Sequence, residues 1–367
     1  MQHKRSVLFI IWSLSCGGGA EKILANIVNH MDYEKYDIEI LEYLHSDKME
    51  PVDPRAKILP PIVDITKKSP FRKALNAFID RFLIKVWPGL VRKACLNRAY
   101  DVEISFNYLI PTFLLDRSSK KRISWIHSSV YDLEGKKRQK KQQAKAFKNV
   151  DTIVAISETT RESLITEFPE YVDKLLTIYN GYEFQKMVPD GEVPDFDLLY
   201  CNRFDENKNP VRFVQLFKKL RDVGIPVTGK MLGTGIQYAE VVRLIKELGL
   251  DDCLECVGYK KNPYAYFAHC KVFCLTTHIE GFPTTLVESM YFGKPFVSTP
   301  VAGTKELAQD GKCGIVATDD EAYIDGLVRL MTDVQVYESM SHSCRKAVEK
   351  YSIESQISAL ESCLEAP

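Results

Sequence analysis

The chain has 367 residues, of which 45% are hydrophobic and 27% are charged, so it can build packed cores and is not globally disordered. Its 49 basic and 49 acidic residues cancel, which argues against a nucleic-acid-binding protein with an overall positive field. At this length we expect two domains or one large α/β unit.

The balanced total conceals two basic blocks in the first half of the chain. Residues 65–98 hold nine Lys or Arg and one acid, Asp80, and residues 117–148 hold eleven Lys or Arg and two acids, Asp132 and Glu134. Such clustering predicts an anionic partner that meets the first half of the protein.

The N-terminus superficially matches a secretory signal, because Lys4 and Arg5 precede an apolar run at residues 6–12. We interpret this run as a first buried strand, since it leads through Gly17–Gly19 directly into a helical pattern. No apolar run reaches the ~18 residues that a membrane-spanning helix needs.

The ten cysteines include Cys253-x-x-Cys256 and Cys270-x-x-x-Cys274, which superficially match two halves of a zinc site. Cys253 and Cys256 fall in a predicted strand, where residues three apart face opposite sides, and Cys274 falls in a predicted buried strand. We therefore interpret these residues as small buried thiols and expect a reducing compartment, the cytoplasm.

Short apolar, β-rich segments alternate with helical patterns along almost the whole chain. The predicted strands are 7–12, 38–43, 102–106, 123–126, 152–156, 198–201, 227–232, 254–257, 272–275 and 296–298. The predicted helices are 20–30, 70–98, 136–148, 158–168, 210–222, 236–248, 284–292, 303–309, 320–332, 335–350 and 353–364. A polar stretch at 185–195, punctuated by Pro and Gly, interrupts the alternation once.

This alternation predicts an α/β protein with two parallel-sheet domains, residues 1–185 and residues 186–352, and a C-terminal helix at 353–367 that can pack back on the first domain. Ligands of such folds bind at the carboxyl ends of the strands, so the cleft between the domains is the expected site.

The predicted helix at 70–98 is amphipathic, with apolar residues three or four apart from Phe71 to Leu90 and an interruption expected at Pro88-Gly89. It fits an anionic membrane surface, with Phe78, Phe82 and Trp87 on the apolar side, and it equally fits a helix packed on the sheet. Both interpretations stay open.

Three glycine-rich turns between a strand and a helix could hold a phosphate, namely Gly17–Gly19, Gly233/Gly235 and the stretch around Gly281. None completes the G-x-G-x-x-G of dinucleotide enzymes, and the chain has no G-x-x-x-x-G-K-[ST]. These absences disfavour a dehydrogenase or a P-loop enzyme.

The most informative segment is residues 276–290, TTHIEGFPTTLVESM. Glu280 follows a predicted strand, Pro283 suits the first position of the next helix, and free backbone N–H groups around Thr284 and Thr285 suit an anion. Glu288 lies further into the same helix, where a carboxylate can accept hydrogen bonds from vicinal hydroxyls. Two acids on either side of an anion site fit a nucleotide sugar.

Two cations, Arg203 and Lys208, lie five residues apart in the loop after the first strand of the second half. A guanidinium and an ammonium group can neutralise a leaving diphosphate without a metal ion. The alternative is a solvated basic loop, which the acidic segment downstream makes less attractive.

Taken together, these residues resemble the GT4-type retaining glycosyltransferases of the GT-B fold, as found in bacterial surface-polysaccharide synthesis. The resemblance covers the whole second half and parts of the first. It depends most on Glu280 to Glu288 and on Arg203 with Lys208. Supporting elements are Gly17–Gly19, His127, Ile156-Ser-Glu158, Asn180-Gly181, Gly233/Gly235 and Val257-Gly-Tyr259.

The resemblance implies two Rossmann-like domains that face each other across a cleft, with the acceptor bound by the first and the nucleotide sugar by the second. It implies catalytic roles for Arg203 and Lys208 on the diphosphate, for Glu280 on the sugar, and for His127 near the anomeric carbon. The implied donor-binding residues are Gly18, Gly19, Gly233, Gly235, Val257, Gly258, Tyr259, Gly281, Phe282, Pro283, Thr284, Thr285 and Glu288.

Two segments depart from the family pattern. The usual Gly-Arg-Leu is Asn202-Arg203-Phe204, and Tyr182-Glu183 follows Asn180-Gly181 where Val-Asp or Ile-Asp is commoner. These departures bear on donor identity more than on reaction class.

The resemblance also implies retention of anomeric configuration without an enzyme nucleophile, no cofactor and no metal. A rival metal motif, Asp195-Phe-Asp197, precedes its predicted strand instead of following it, so we interpret both acids as surface residues at the edge of the linker.

The expected reaction moves a hexose or N-acetylhexosamine, from a UDP-linked donor by family frequency, to a saccharide or lipid-diphosphate-linked acceptor at the cytoplasmic face of the membrane. Anionic membrane contact through residues 67–98 and 117–148 is a further expectation, and no nucleic-acid partner is expected. Two alternatives remain, a nucleotide-sugar 2-epimerase on the same fold and a non-catalytic membrane-associated module.

Overall fold

The structure is a computed structural model that describes residues 4–15, 19–46, 49–66, 76, 87–96, 98–130 and 136–366. The chain divides into two compact units. Unit 1 comprises Met1–Tyr182 together with Ser352–Pro367, and unit 2 comprises Glu183–Tyr351.

Unit 1 is built on a seven-stranded parallel sheet with the strand order β4-β2-β1-β6-β7-β8-β9. Its strands are β1 Arg5–Ile11, β2 Tyr36–Glu42, β4 Lys57–Ile58, β6 Val102–Ser105, β7 Lys121–Ile126, β8 Thr152–Ala155 and β9 Leu175–Thr177. A separate parallel pair joins β3 Leu44–His45 to β5 Val63–Asp64.

The central strands of unit 1 are apolar because helices cover both faces of a parallel sheet. In β1, Val7 to Ile10 are completely buried, with Val7 and Phe9 in one cluster of core residues and Leu8 and Ile10 in another. Val7 pairs in register with Ile38 of β2 and with Val102 of β6. The initial apolar run is therefore a buried strand, as predicted, and it lies inside the sheet between β2 and β6.

The described helices of unit 1 surround this sheet. They are α1 Gly19–His30, α2 Pro88–Cys95, α3 Ile110–Phe113, α4 Lys137–Phe147, α5 Glu158–Glu167 and α13 Ile353–Glu365, with a 3₁₀ helix at Pro169–Lys174. The last helix returns to unit 1 from the far end of the chain. Leu360 and Leu364 of α13 join Leu24 and Ile27 of α1 in one hydrophobic core.

Most of the predicted helix at 70–98 lies outside the described residues. The same is true of most of residues 67–98, the first of the two segments predicted to contact a membrane. In the described part, α2 starts at Pro88 after Trp87, which agrees with the interruption expected at Pro88-Gly89. Arg92 of α2 is buried and contacts two carboxylates, Glu103 at 2.6 Å and Asp116 at 3.1 Å.

Unit 2 repeats the same architecture with a six-stranded parallel sheet in the order β12-β11-β10-β13-β14-β15. Its strands are β10 Phe196–Cys201, β11 Gly229–Leu232, β12 Leu254–Gly258, β13 Cys270–Leu275, β14 Phe296–Ser298 and β15 Gly314–Val316. Its helices are α6 Pro210–Asp222, α7 Tyr238–Glu247, α8 Tyr264–His269, α9 Thr284–Tyr291, α10 Thr304–Ala308, α11 Asp320–Thr332 and α12 Val334–Ala347, with 3₁₀ helices at Phe184–Lys186 and Val348–Tyr351.

The two parallel-sheet α/β domains confirm the predicted fold class. Cys274 lies buried in β13, as predicted, and Cys270 is the buried first residue of the same strand. The predicted place of Cys253 in a strand is wrong, because β12 starts at Leu254, and Cys253 and Cys256 are only partly buried. Within the described residues, no helix combines the length and apolar character needed to cross a membrane.

Candidate functional site

The site predicted in the second half is built on two neighbouring strands of unit 2. Strands β10 and β13 pair in parallel, so their carboxyl ends lie side by side at one edge of the sheet. The loop at 202–209 follows β10 and the loop at 276–283 follows β13. Loops at this edge of an open parallel sheet are where ligands of such folds bind.

Asn207 joins these two loops through both its side chain and its backbone. Its Oδ1 accepts the N–H of Ile279 at 3.0 Å, and its Nδ2 donates to the Ile279 carbonyl at 3.1 Å. Its own carbonyl accepts the N–H of His278 at 2.8 Å and the hydroxyl of Thr277 at 2.9 Å. The two loops are thus fixed against each other by four hydrogen bonds at one residue.

The junction brings Lys208 and Glu280 into contact as an ion pair between Nζ and Oε1. Both side chains are largely buried. The backbone around Lys208 is held by two buried hydroxyls, since Tyr200 donates to the Lys208 carbonyl at 3.1 Å and Thr276 donates to the Asn209 carbonyl at 2.9 Å. The sequence places these two residues at one site, and their contact agrees with that placement.

Arg203 has a different environment from Lys208. Its side chain is 75% exposed and pairs with Asp205 at 3.2 Å, so it is not bound to Glu280. The guanidinium therefore lies at the surface of the same loop.

The glycine turn after β11 packs directly on this loop. Gly233 has φ 139°, and a Cβ there would lie 1.8 Å from the carbonyl oxygen of Asn202. Gly235 has φ 158°, and a Cβ there would lie 2.3 Å from the carbonyl oxygen of Phe204. A side chain at position 233 would displace the backbone before Arg203 and one at position 235 the backbone after it, so both glycines are structurally required.

The predicted base-pocket residues adjoin the same turn. The carbonyl of Gly258 accepts the N–H of Gly233 at 3.0 Å, which ties the end of β12 to the turn. Val257 is partly buried, and Tyr259 is exposed. These residues therefore lie at the same sheet edge as the loop of Arg203.

Helix α9 begins at Thr284, the first residue of the helix predicted at 284–292, but the role predicted for Pro283 is wrong. Pro283 is the extended residue that caps α9, not its first helical residue, and the helix starts at Thr284. Thr284 and Thr285 still supply amides from the first turn of α9, where N–H groups lack helical partners and can bind an anion. Thr284 is exposed and Thr285 is partly exposed.

The residues before α9 differ in how tightly they are packed. Gly281 is exposed, and a Cβ there would have no atom within 4 Å, whereas Phe282 packs on Tyr351 at a ring distance of 5.7 Å. Gly303, at φ 81°, lies against Phe282 and Pro283, where a Cβ would meet the Phe282 ring at 2.8 Å. The segment before α9 is thus anchored at Phe282 and open at Gly281.

Glu288 has an unusually weak acidity for a carboxyl group. Burial raises its pKa to about 7. Burial, followed by the charge of Glu288, also raises the pKa of Tyr264 in α8. Near neutral pH, Glu288 is therefore divided between its carboxylate and its protonated form.

The predicted site residue His127 lies in unit 1, where it follows β7. Its ring packs on Phe106 at 4.4 Å and lies nearly parallel to Trp125 at 6.2 Å. Burial lowers the pKa of His127 to about 3, so the imidazole is neutral at physiological pH. In the described part of the chain, its Nε2 has no hydrogen-bond partner.

Of the predicted glycine loop at 17–19, Gly17 and Gly18 lie outside the described residues, and Gly19 is the exposed first residue of α1. The expected contact of this loop with a diphosphate stays a prediction.

The rival metal motif has other partners. Asp195 bonds to His269 at 2.8 Å, and Asp197 accepts the N–H of Thr228 at 2.8 Å. Because β10 starts at Phe196, Asp197 lies inside the strand and not before it, which corrects its predicted place in the linker. No group of three or more metal-binding side chains lies together among the described residues.

Sequence reasoning missed Asn207, the residue that joins the two loops. Its signal was present in the run Asp205-Glu-Asn-Lys-Asn209, since Asn side chains in loops bond readily to backbone groups. The sequence could not show that the partner would be the peptide of Ile279.

The part of the chain that matches a known family model lies within unit 2. Residues 185–350 match the family model "Glycosyl transferases group 1". The chain is 25% identical to the N-acetylgalactosamine-N,N'-diacetylbacillosaminyl-diphospho-undecaprenol 4-alpha-N-acetylgalactosaminyltransferase of Campylobacter jejuni, over 94% of the chain and 95% of that protein. It is also 24% identical to the capsular polysaccharide biosynthesis glycosyltransferase CapH of Staphylococcus aureus, over 60% of the chain and 64% of that protein.

Solved structures extend the likeness over both units. Anabaena Alr3699/HepE in complex with UDP has a TM-score of 0.71 at 13% identity, covering 98% of this chain and 99% of that one. The lipopolysaccharide outer core galactosyltransferase WaaB has a TM-score of 0.72 at 17% identity, with the same coverage. At such identities the likeness concerns the fold.

Proposed function

We propose that the chain, a GT4-type glycosyltransferase with the GT-B fold, transfers a hexose or N-acetylhexosamine from a UDP-linked donor with retention of anomeric configuration. We propose a saccharide or lipid-diphosphate-linked saccharide as the acceptor, in the synthesis of a bacterial surface polysaccharide. The reaction needs no metal ion and takes place at the cytoplasmic face of the membrane.

The observation that supports this proposal most is the contact between Lys208 and Glu280. The two residues are 72 positions apart, and the contact lies where two parallel strands end and where α9 begins. An ammonium group, a carboxylate and a helix N-terminus at one place suit a ligand that carries both hydroxyls and phosphates.

In the proposed reaction, the bond between the anomeric carbon and the β-phosphate oxygen breaks while the acceptor oxygen bonds to the same face of that carbon. The departing phosphate oxygen takes the proton of the acceptor hydroxyl, so no enzyme nucleophile is needed. Lys208 and Arg203 stabilise the negative charge that develops on the UDP leaving group. Glu280 binds the hydroxyls of the transferred sugar.

The remaining roles follow the chemistry of each group. Glu288 accepts hydrogen bonds from the ribose, and the first-turn amides of Thr284 and Thr285 bind phosphate. Neutral His127 presents an uncharged ring nitrogen, which suits a sugar hydroxyl better than an imidazolium would. Val257, Gly258 and Tyr259 are assigned to the base.

Both substrates are inferred from their chemistry and from related proteins. UDP is bound in the structure of Anabaena Alr3699/HepE, and the name of the Campylobacter relative specifies a diphospho-undecaprenol acceptor. An acceptor of that kind carries two phosphates and is held in a membrane. The basic blocks of unit 1 fit such an anionic partner.

The test is to incubate the purified chain with a panel of UDP- and GDP-sugars, with and without extracted lipid acceptor, and to measure nucleotide release. We expect UDP release that requires the acceptor and persists in EDTA, and NMR of the product should show the donor's anomeric configuration. Acceptor-independent change of the donor sugar would instead indicate the 2-epimerase. Strict dependence on Mn²⁺ would refute the metal-free reaction.

Variants separate catalytic from structural roles. Lys208→Ala and Glu280→Gln should abolish transfer with little change in melting temperature. Lys218→Ala is the matched control, because Lys218 also pairs with a carboxylate of unit 2, Asp222, but on the outer surface of α6. A melting temperature that collapses in the first two variants would mean that their ion pair is structural.

A further inference from the structure

A cavity of about 490 Å³ lies within unit 1, bounded by α2, the end of α3 with the loop after it, and the C-terminal half of α4. It falls within the ~300–1,000 Å³ range of small-molecule sites. None of the residues assigned to the glycosyl-transfer reaction lines it.

The cavity lies at the opposite end of the strands from His127. Its lining includes Asp116 and Arg117, which come shortly before β7 starts at Lys121, and Asn149, which comes shortly before β8 starts at Thr152. His127 follows the carboxyl end of β7. The cavity is therefore distinct from the proposed transfer site.

The lining carries excess positive charge. Four cations line the cavity, namely Arg92, Lys93, Arg117 and Lys145, against one acid, Asp116. Lys93, Arg117 and Lys145 are exposed, so they form its rim. A second cavity, of about 470 Å³, shares Arg117 and Lys145 and adds Lys141 and Lys148, which extends the basic surface along α4.

Arg92 differs from the rim because its side chain is only 6% exposed. It donates through Nη2 to Glu103 at 2.6 Å and through Nε to Asp116 at 3.1 Å. Among the described residues, its Nη1 has no hydrogen-bond partner. A buried guanidinium with a donor to spare, beside a cavity with a cationic rim, is suited to an anion such as phosphate.

Apolar groups complete the site. Phe113, Leu114 and Leu115 line the cavity, as does Pro88. Trp87 and Leu90 flank the lining residues Pro88 and Gly89 in the sequence. They are 51% and 57% exposed, respectively. Exposed Trp and Leu beside lysines are typical of a surface that meets the headgroup region of a bilayer.

We propose that this cavity binds the phosphate of an anionic phospholipid headgroup, with Arg117 and Lys145 at its rim and Trp87 and Leu90 directed to the lipid. The lipid source rests on the proposed membrane-linked function, whereas the phosphate site rests on the cavity itself. Lipid binding is measured without a nucleotide sugar, so its outcome is independent of whether transfer occurs.

The experiment titrates the full chain by calorimetry with three separate probes. Two are short-chain lipids used below their critical micelle concentrations, dihexanoyl phosphatidylglycerol and dihexanoyl phosphatidylcholine, and the third is inorganic phosphate. The test variant is Arg117→Glu/Lys145→Glu, which changes exposed rim residues and leaves Arg92 intact. The control variant is Lys246→Glu/Lys346→Glu, which makes the same change in charge on exposed residues of α7 and α12.

We expect phosphatidylglycerol to bind the wild type and the control variant with equal affinity. This affinity should be at least tenfold higher than that of the other two probes. The test variant should bind phosphatidylglycerol at least tenfold more weakly than the wild type does. Equal weakening in both variants would show non-specific charge attraction and overturn the site. Inorganic phosphate bound as tightly as the lipid would overturn the lipid source. Failure of all three probes to bind would overturn the proposal.

Discussion

Asn207→Ala tests whether the junction between the two loops positions the reactive pair. The substitution removes both hydrogen bonds between the Asn207 side chain and the peptide of Ile279, the residue next to Glu280. The two bonds formed by the Asn207 carbonyl remain, because they belong to the backbone. The loops should therefore stay together while Glu280 becomes less firmly held beside Lys208.

The size of the effect follows from the number of bonds lost. Two hydrogen bonds at about 0.5–1.5 kcal/mol each amount to about 1–3 kcal/mol. If this energy holds Glu280 in its reactive position, its loss lowers kcat/KM by roughly 5- to 150-fold. The free energy of unfolding should fall toward the lower end of the range, because Ile279 is exposed and water can replace the lost partners.

Asn29→Ala is the matched control for this prediction. Asn29 Oδ1 accepts the N–H of Asp53 at 2.6 Å, and its Nδ2 donates to the Pro51 carbonyl at 3.3 Å, so the control also removes two bonds to backbone groups, but in unit 1. Steady-state nucleotide release gives kcat/KM, and urea unfolding gives stability. Similar stability losses with kcat/KM within twofold of each other would refute a positioning role for Asn207.

Three further predictions concern stability and its dependence on pH. The wild type should lose stability as the pH rises from about 4.5 to 7, and Glu288→Gln should not show this loss. The raised pKa means that the folded state holds the proton more tightly, and 2.5 pKa units correspond to about 3 kcal/mol. Urea unfolding at pH 5 and pH 8 measures the difference, and parallel pH profiles for the two proteins would refute it. Gly229→Ala should cost about 1–3 kcal/mol, because the new Cβ would lie 2.6 Å from the Phe217 ring, whereas Gly89→Ala, with nothing within 4 Å, should not destabilise. Equal melting temperatures for the two alanine variants would contradict this. Arg92→Met should cost about 3–5 kcal/mol at neutral pH, since it leaves Glu103 buried without its cation. The loss should shrink in acid as Glu103 becomes protonated, and a deficit independent of pH would argue against this cause.

The long elements could be predicted from sequence because their patterns are strong. The amphipathic pattern of α6 has the period of a helix, and the apolar run of β1 has no period but is short, rich in β-branched residues and followed by a glycine turn, which favours a buried strand. The two-residue strands Lys57–Ile58 and Val63–Asp64 could not be predicted, because so short a segment has no period to detect. They form through pairing with β2 and β3, which are distant in sequence.

The same limit applies to the candidate site. The residue types at 203, 208, 280 and 288 indicate a nucleotide-sugar site, because their charge and spacing fit its chemistry. Tertiary packing decides which loop carbonyls meet which amides. The contact of Lys208 with Glu280 and the pairing of Arg203 with Asp205 depend on that packing. The acidity of Glu288 likewise follows from burial, which sequence position alone does not set.

The return of α13 to unit 1 has a consequence for synthesis on the ribosome. Leu360 and Leu364 complete the core that begins with Leu24 and Ile27, yet they are translated only after the whole of unit 2. Unit 2 is therefore the first unit whose residues are all available to fold, although unit 1 begins earlier in the chain. Until α13 has emerged from the ribosome, the nascent first unit lacks the side chains that cover Leu24 and Ile27, so these apolar residues of α1 stay exposed longer than the rest of its core.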